Sequence, residues 1–240
     1  MPDSVVELRQ YTLRPGRRDD LVDLFDREFL ESQEAVGARI IGQFRDLRDP
    51  DRFVWLRGFA DMDTRKSALG GFYGGEVWRA NRTAANDTMV DSDDVLLLRP
   101  LGENTGFGGL PARPQAGSAS PPGSVVLATI YQLPRPVDAE FRAFFEQRVA
   151  PLMAESGALP VGAFETEPAE NNFPALPVRA GVNVLVWFAI LPGEQAHRAH
   201  LAKLESSPVW TDSVLPELIR SLAVAPQHLL LAPTARSALR

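Results

Sequence analysis

The sequence has no cysteine, so it offers no disulfide, no thiolate nucleophile and no cysteine metal site. It also lacks a long apolar run. The longest, Val184 to Leu191, is eight residues, well short of the roughly 20 that a membrane helix needs. The start, Met1-Pro2-Asp3-Ser4, carries an acid where a signal peptide has a basic region. Basic excess is missing as well. A net charge of −6, from 25 Lys and Arg against 31 Asp and Glu, argues against nucleic acid as a partner. There is no Gly-x-Gly-x-x-Gly, no phosphate loop and no Gly-x-Ser-x-Gly elbow. These absences lead to the expectation of a soluble, cytoplasmic protein with no bound cofactor and no membrane partner. What is present is apolar: 45 % of 240 residues are hydrophobic, so the chain can bury a core and is long enough for one large domain or two of roughly 100 residues.

The chain repeats itself. At an offset of about 120 residues Ser4-Val5-Val6 returns as Ser124-Val125-Val126, Tyr11 and Leu13 as Tyr131 and Leu133, and Phe25 as Phe145. Gly37-Ala38 returns as Gly157-Ala158, and Gly42 and Phe44 as Gly162 and Phe164. A later insertion shifts the register, so that Val77-Trp78 pairs with Val209-Trp210 and Leu96 to Leu98 with Leu229 to Leu231. So many matches in one order mark an internal repeat. The division is residues 1–101, a linker at 102–123 rich in Gly and Pro, and residues 124–240. The linker has no hydrophobic period and is expected not to order itself.

Each repeat has the same element order. Ser4–Leu13 alternates and is rich in β-branched residues, which predicts a strand. Pro15-Gly16 opens an amphipathic helix with a stripe of Leu21, Leu24, Phe25 and Phe29, closed by Gly37. Strands follow at 39–47 and 52–60, then helical sequence to about Asn86, broken near Gly70-Gly71 and Gly74-Gly75, then a strand at 95–99. The second copy predicts strands near 124–133, 161–167, 181–191 and 227–232 and helices near 137–156 and 193–221, with kinks at Pro151 and Pro216. The order β-α-β-β-α-β is ferredoxin-like. The fold class is α+β. Two such repeats, each with one uncovered sheet face, are expected to pack sheet on sheet as a fused α/β-barrel.

Glu7-Leu8-Arg9-Gln10-Tyr11-Thr12-Leu13-Arg14-Pro15-Gly16 resembles the opening motif of the NIPSNAP family. So do Phe53-Val54-Trp55-Leu56-Arg57-Gly58-Phe59 with Asp63-Thr64-Arg65, Phe72-Tyr73-Gly74-Gly75-Glu76-Val77-Trp78, and Asp93 to Pro100. The resemblance covers residues 4–101. Over 124–235 it is weak, because Leu127-Ala128-Thr129 replaces the Glu-x-Arg opening. It implies the dimeric α/β-barrel superfamily and no particular reaction, since that superfamily includes cofactor-free oxygenases, cyclases, haem proteins and proteins without an assigned activity.

Alternation divides the first strand into Val6, Leu8, Gln10 and Thr12 on one face and Val5, Glu7, Arg9, Tyr11 and Leu13 on the other. The uncharged set is assigned to the helices, which aims Glu7, Arg9 and Tyr11 into the space between the sheets, with Glu7 and Arg9 able to pair. Phe53, Trp55, Arg57 and Phe59 share a face of the third strand. Three aromatics around one arginine suit a planar anionic ligand; the structural alternative is a core face with Arg57 paired to Glu7. Val182, Val184, Val186, Phe188 and Ile190 are placed on the equivalent face of the second repeat, as an apolar wall. Tyr73 and Trp78 border the pocket mouth, or else pack in the core. The expected ligand is a small, largely apolar or aromatic molecule held between the sheets. In an enzyme, Arg57 would stabilise an anion, Tyr11 would donate a proton, and Glu7 or Arg9 would tune them.

His197 and His200 lie three apart on a predicted helix, where they could share a face and ligate a metal or one axial haem position, or simply face solvent; His228 begins a strand. Two rival readings follow: a haem or metal protein, and a non-catalytic interaction module. Exposed sheet edges leave a homodimer open.

Overall fold

The structure, a computed structural model, describes residues 3–118 and 121–240. Within the linker, Ala119 and Ser120 lie outside the described residues, as do Met1 and Pro2 at the start. In the first repeat β1 (Val5–Leu13) leads to the helical stretch α1 (residues 18–34), then to β2 (Arg39–Asp46) and β3 (Arg52–Phe59). The helices α2 (Met62–Tyr73) and α3 (Glu76–Asn86) and the strand β4 (Met89–Pro100) complete it. The second repeat runs β5 (Val125–Leu133), α4 (residues 139–156), β6 (Pro160–Thr166), β7 (Asn183–Leu191), α5 (Glu194–Glu205), α6 (residues 210–221) and β8 (Gln227–Pro233). The strands close into one antiparallel barrel in the order β1-β3-β2-β8-β5-β7-β6-β4. The fused α/β-barrel expected from the repeat is therefore the fold.

The seams between repeats are short. Three register pairs join β2 to β8, from Phe44 opposite Pro233 to Asp46 opposite Leu231. Three more join β4 to β6. What binds the halves is the interior. Val6, Leu8, Phe44, Val54, Leu56 and Leu98 of the first repeat meet Val126, Phe164, Val186, Phe188 and Leu231 of the second, all nearly or fully buried. Eight strands leave a bore just wide enough for side chains to fill.

This corrects the assignment of faces. Val6 and Leu8 point into the barrel, while Tyr11, Phe53 and Trp55 lie against the helices. Phe188 is in the barrel with Val184 and Val186. The residue at Trp55's place is Trp187, which faces the helices of the second repeat with Leu185, Ala189 and Leu191. The space between the sheets is thus filled by aliphatic and aromatic side chains, and Glu7, Arg9, Tyr11, Trp55 and Arg57, expected to face it, lie in the sheet–helix layer instead. The error came from a local rule, that charges avoid a helix-covered face. A helix can bring its own counter-groups to that face, and here it does.

Three other expectations change. The described residues of the linker pack on the repeats: Phe107 plugs the barrel, 4.8 Å from Phe164 and 5.1 Å from Phe188 between ring centroids, and Arg113 pairs with Glu34. Gly70 and Gly71 sit inside α2, and the break falls only at Gly74-Gly75. β4 begins six residues early, at Met89, because Asp91 and Asp94 pair with β1 despite their charge.

The helices carry a matched irregularity. Phe25–Phe29 and Phe145–Val149 are π-helical turns within α1 and α4, and Trp210–Val214 is another that opens α6. Pro151 and Pro216 follow the last two. A proline lacks an N–H and crowds the carbonyl four residues back, and a widened turn relieves both. Gly37 and Gly157 end the equivalent helices at φ of 101° and 108°, backbone that favours glycine.

Removing the plug tests the barrel. Phe107→Ala is expected to cost about 3–5 kcal/mol, measured by urea unfolding. A cost below about 1 kcal/mol would show that Phe107 does not fill the barrel end. A Cβ at Gly162 would come within 2.8 Å of the Phe107 ring, so Gly162→Ala should disturb the same contact.

Candidate functional site

The antiparallel register of β1 and β3 places Glu7 opposite Arg57, Arg9 opposite Trp55 and Tyr11 opposite Phe53. All of these side chains rise toward α1 and α2. Glu7, Arg9 and Arg57 are essentially inaccessible, and so is Arg65 from α2. Arg65 stands in line with Ala68, Leu69 and Phe72, the buried stripe of that helix, so its side chain comes down onto the sheet as a core residue would.

The four charges form one cluster. Glu7 Oε2 accepts from Arg9 Nη1 at 2.7 Å and from Arg57 Nε at 2.7 Å, and Glu7 Oε1 accepts from Arg65 Nε at 2.7 Å. Arg57 Nη1 also donates to Gln33 Oε1 at 2.9 Å, and Gln33 Nε2 donates to the Phe29 carbonyl in the π-turn of α1 at 3.0 Å. Burial alone would raise the Glu7 pKa, but Arg57, Arg9 and Arg65 outweigh it and hold the carboxyl well below the usual range. One carboxylate is bound to three guanidinium groups, so the cluster carries excess positive charge in a region closed to water.

Tyr11 joins it through its hydroxyl oxygen, which accepts from Arg9 Nε at 3.0 Å. That leaves the phenolic hydrogen free to donate elsewhere. Burial pushes the Tyr11 pKa up, with Arg9 opposing, so the phenol is protonated at neutral pH. Arg9 also lies 5.5 Å from the Tyr11 and Trp55 ring centroids, and Arg57 lies 5.0 Å from Trp55, 5.6 Å from Phe59 and 5.9 Å from Tyr73. These faces stabilise cations that lack a full complement of anions.

Beside the cluster is a small cavity under the helices. Its buried floor is Tyr11, Phe25, Phe29, Trp55 and Phe72, and the half-buried Tyr73, Trp78 and Met89 stand at its outer side. It encloses about 30 Å³, room for about two waters. Trp55 Nε1 is buried with no protein acceptor among the described residues. Larger clefts exist at the surface, about 390 Å³ beside Arg135 and Arg220 and about 510 Å³ beside Arg39 and the linker glycines. No buried charged or polar side chain lines either one.

The predicted residues divide accordingly. Glu7, Arg9, Tyr11 and Arg57 come together, and Tyr11, Trp55, Tyr73 and Trp78 line the cavity. Arg57 is occupied by Glu7 and Gln33. Phe53 packs on Phe25, and Phe59 joins a neighbouring cluster with Val5, Leu69 and Leu97. Phe188 is in the barrel, away from the site. Arg65, Gln33 and Phe72 were missed. The signal for Arg65 was its place on a helical apolar stripe; Gln33 gave none.

The equivalent positions of the second repeat are Leu127, Thr129, Tyr131 and Ala189, where Leu127 lies opposite Ala189 and Thr129 opposite Trp187. His197 stands at the place of Arg65. The charged cluster is therefore confined to the first repeat. His200 Nδ1 is 2.8 Å from Ser156 Oγ, and His228 Nδ1 is 3.1 Å from Thr129 Oγ1. His197 and His200 are buried, which corrects the solvent-facing alternative. Among the described residues no group of three His, Asp or Glu is placed to hold a metal ion, and no helix is long and apolar enough to cross a membrane.

Residues 6–102 match the NIPSNAP family model. The NIPSNAP match ends where the first repeat ends, which agrees with the loss of the Glu-x-Arg motif from β5. No curated protein matches the chain. Solved structures share the whole barrel. An anthrone oxidase-like protein has a TM-score of 0.60 at 11 % identity, covering 96 % of this chain and 91 % of its own. A putative monooxygenase from Fusobacterium nucleatum has a TM-score of 0.57 at 7 % identity, covering 97 % and 93 %. One from Lactobacillus acidophilus has 0.54 at 11 %, covering 95 % and 93 %. At such identities the likeness is one of fold.

Two measurements probe this arrangement. Glu7→Gln leaves three buried arginines without their shared anion, and should cost about 3–5 kcal/mol in urea unfolding; a loss below about 1 kcal/mol would mean that the cluster is hydrated. Burial lowers the pKa of His200 to about 4 from 6.5. The unfolded chain then binds the extra proton between these values, so this contribution is whole above pH 6.5 and falls as pH drops toward 4. His200→Gln should flatten that part of the stability profile, and an unchanged slope would contradict it.

Proposed function

We propose that the NIPSNAP repeat binds a small, flat, largely apolar molecule that carries an oxygen, in the cavity between its sheet and its helices. The observation that carries this reading is the conjunction of an excess of buried positive charge with a phenol whose proton is free. Tyr11 accepts from Arg9 and is left to donate. A ligand oxygen that receives this hydrogen bond is linked through the Tyr11 hydroxyl to Arg9, behind which Glu7, Arg57 and Arg65 lie outside the cavity wall. An enolate, phenolate or carboxylate oxygen gains most from that field, because charge is poorly screened where water is excluded. The aromatic floor supplies stacking surfaces for a ring.

In a reaction, the arrangement favours any step in which negative charge grows on the ligand oxygen. Tyr11 holds the hydrogen bond, Arg9 orients Tyr11, and Glu7 holds the arginines in place rather than acting as a base. Its carboxylate is already engaged by three donors, and removing a proton from substrate would oppose them. This is anion-stabilising chemistry of the kind that an isomerase, cyclase or cofactor-independent oxygenase uses. The fold relatives described as monooxygenases share the barrel, and the reading for this chain rests on its own residues.

The enclosed volume is too small for an aromatic ring, so binding requires Tyr73, Trp78 and Met89 to move outward. 1-Naphthol is a suitable probe, since its ring and hydroxyl match the two halves of the site. It should quench tryptophan fluorescence saturably, and Tyr11→Phe should weaken it about tenfold, the loss of one hydrogen bond near charge. Absence of saturable quenching, or wild-type affinity in Tyr11→Phe, would overturn the assignment.

A further inference from the structure

The longest insertion that distinguishes the second repeat is the connection between β6 and β7, residues 167–182. It does not stay with its own half. Its ends lie along β4 of the first repeat, where Glu167 N donates to the Leu97 carbonyl at 2.9 Å and Arg179 N to the Val95 carbonyl at 2.8 Å. Its middle reaches α2. Arg65 Nη1 donates to Asn171 Oδ1 at 3.0 Å and to Asn172 Oδ1 at 2.8 Å. Asn172 Nδ2 donates back to the Met62 carbonyl at 2.6 Å. Phe173 lies 6.2 Å from the Tyr73 ring at an interplanar angle of 32°.

We infer that this loop of the second repeat completes the site in the first, with Asn171 and Asn172 positioning Arg65 and Phe173 controlling access past Tyr73. The inference rests on the proposed cavity as the binding site. Arg65 joins Glu7 to the loop, so one guanidinium is shared between the charged cluster and the other half of the chain. Without the two amide oxygens Arg65 keeps only its bond to Glu7, and the direction of that bond is no longer set from the helix side. Phe173 acts on the opposite wall. Tyr73 ends α2, just before the Gly74-Gly75 break, and it must swing out for a ring to pass between it and Trp78. Phe173 packs on that tyrosine from outside. The repeats are thus unequal in role: the first holds the reactive groups, and the second supplies part of their wall. A small residue at 173 would admit bulkier ligands, which makes this position a determinant of specificity.

Two measurements separate this inference from the cavity reading. Hydrogen–deuterium exchange needs no ligand. In Phe173→Ala, amides of residues 69–82 should exchange about tenfold faster, with β1 and β3 unchanged; exchange at the wild-type rate overturns the contact as a restraint. Stopped-flow fluorescence with 1-naphthol then reads access. Phe173→Ala should raise both association and dissociation rates at least threefold with the dissociation constant nearly unchanged, whereas wild-type rates overturn the control of access. For the asparagines, Asn171→Ala with Asn172→Ala should weaken 1-naphthol about fivefold, and Asn171→Gln with Asn172→Gln, which keeps neutral amide acceptors for Arg65, should restore most of it. Equal affinity in the alanine variant and the wild type overturns the positioning role. A wild-type protein that ignores 1-naphthol refutes the cavity reading, while the exchange result still decides whether the loop restrains the α2–α3 elbow.

Discussion

One carboxylate ties the first repeat together. Glu7 accepts from Arg9, Arg57 and Arg65, and each of those arginines fixes something else: Arg9 fixes Tyr11, Arg57 fixes Gln33 of α1, and Arg65 fixes the β6–β7 loop. Strand, two helices and the other repeat meet at a single buried anion. Removing charge from water is costly, and the attraction repays it only when geometry is close and every group is used. Glu7 satisfies the geometric condition. The arginines outnumber it, and the uncompensated charge is the resource on which the proposed binding depends.

The second repeat shows what the same scaffold becomes without that anion. Leu127 and Ala189 replace the Glu7–Arg57 pair, Met153 replaces Gln33, and the layer between sheet and helices becomes an apolar core. The hydrophobic layer needs no partners to be specified, so it tolerates the histidines that hydrogen-bond to Ser156 and Thr129 at its margin. Fusion lets the halves diverge in this way. In a symmetric pair, any change in one site would appear in both.

The barrel interior imposes the complementary constraint. It is filled from both repeats and plugged by Phe107 from the connecting segment, so it joins halves whose strand ladders share only three register pairs at each seam. A ligand there would compete with the contacts that hold the chain together. The sheet–helix layer carries no such burden. It keeps a small void beside the glycine break between α2 and α3, outside the barrel.

Much of this was legible in the residues. Repetition at about 120 residues, the βαββαβ order and the closure of two sheets follow from periodicity and from the need to cover apolar faces. The grouping of Glu7, Arg9 and Tyr11 with Trp55 and Arg57 follows from alternation in two neighbouring strands. Alternation is a relation within a strand, however, and it says which side chains share a face without saying what that face meets. Only the closed barrel decided that the charged face lies under the helices, because only there could Arg65 and Gln33 reach Glu7. Likewise the sequence marks an insertion somewhere between Phe164 and Val209 but contains no relation between it and Arg65. That contact joins residues more than 100 positions apart, and it exists because two repeats share one barrel.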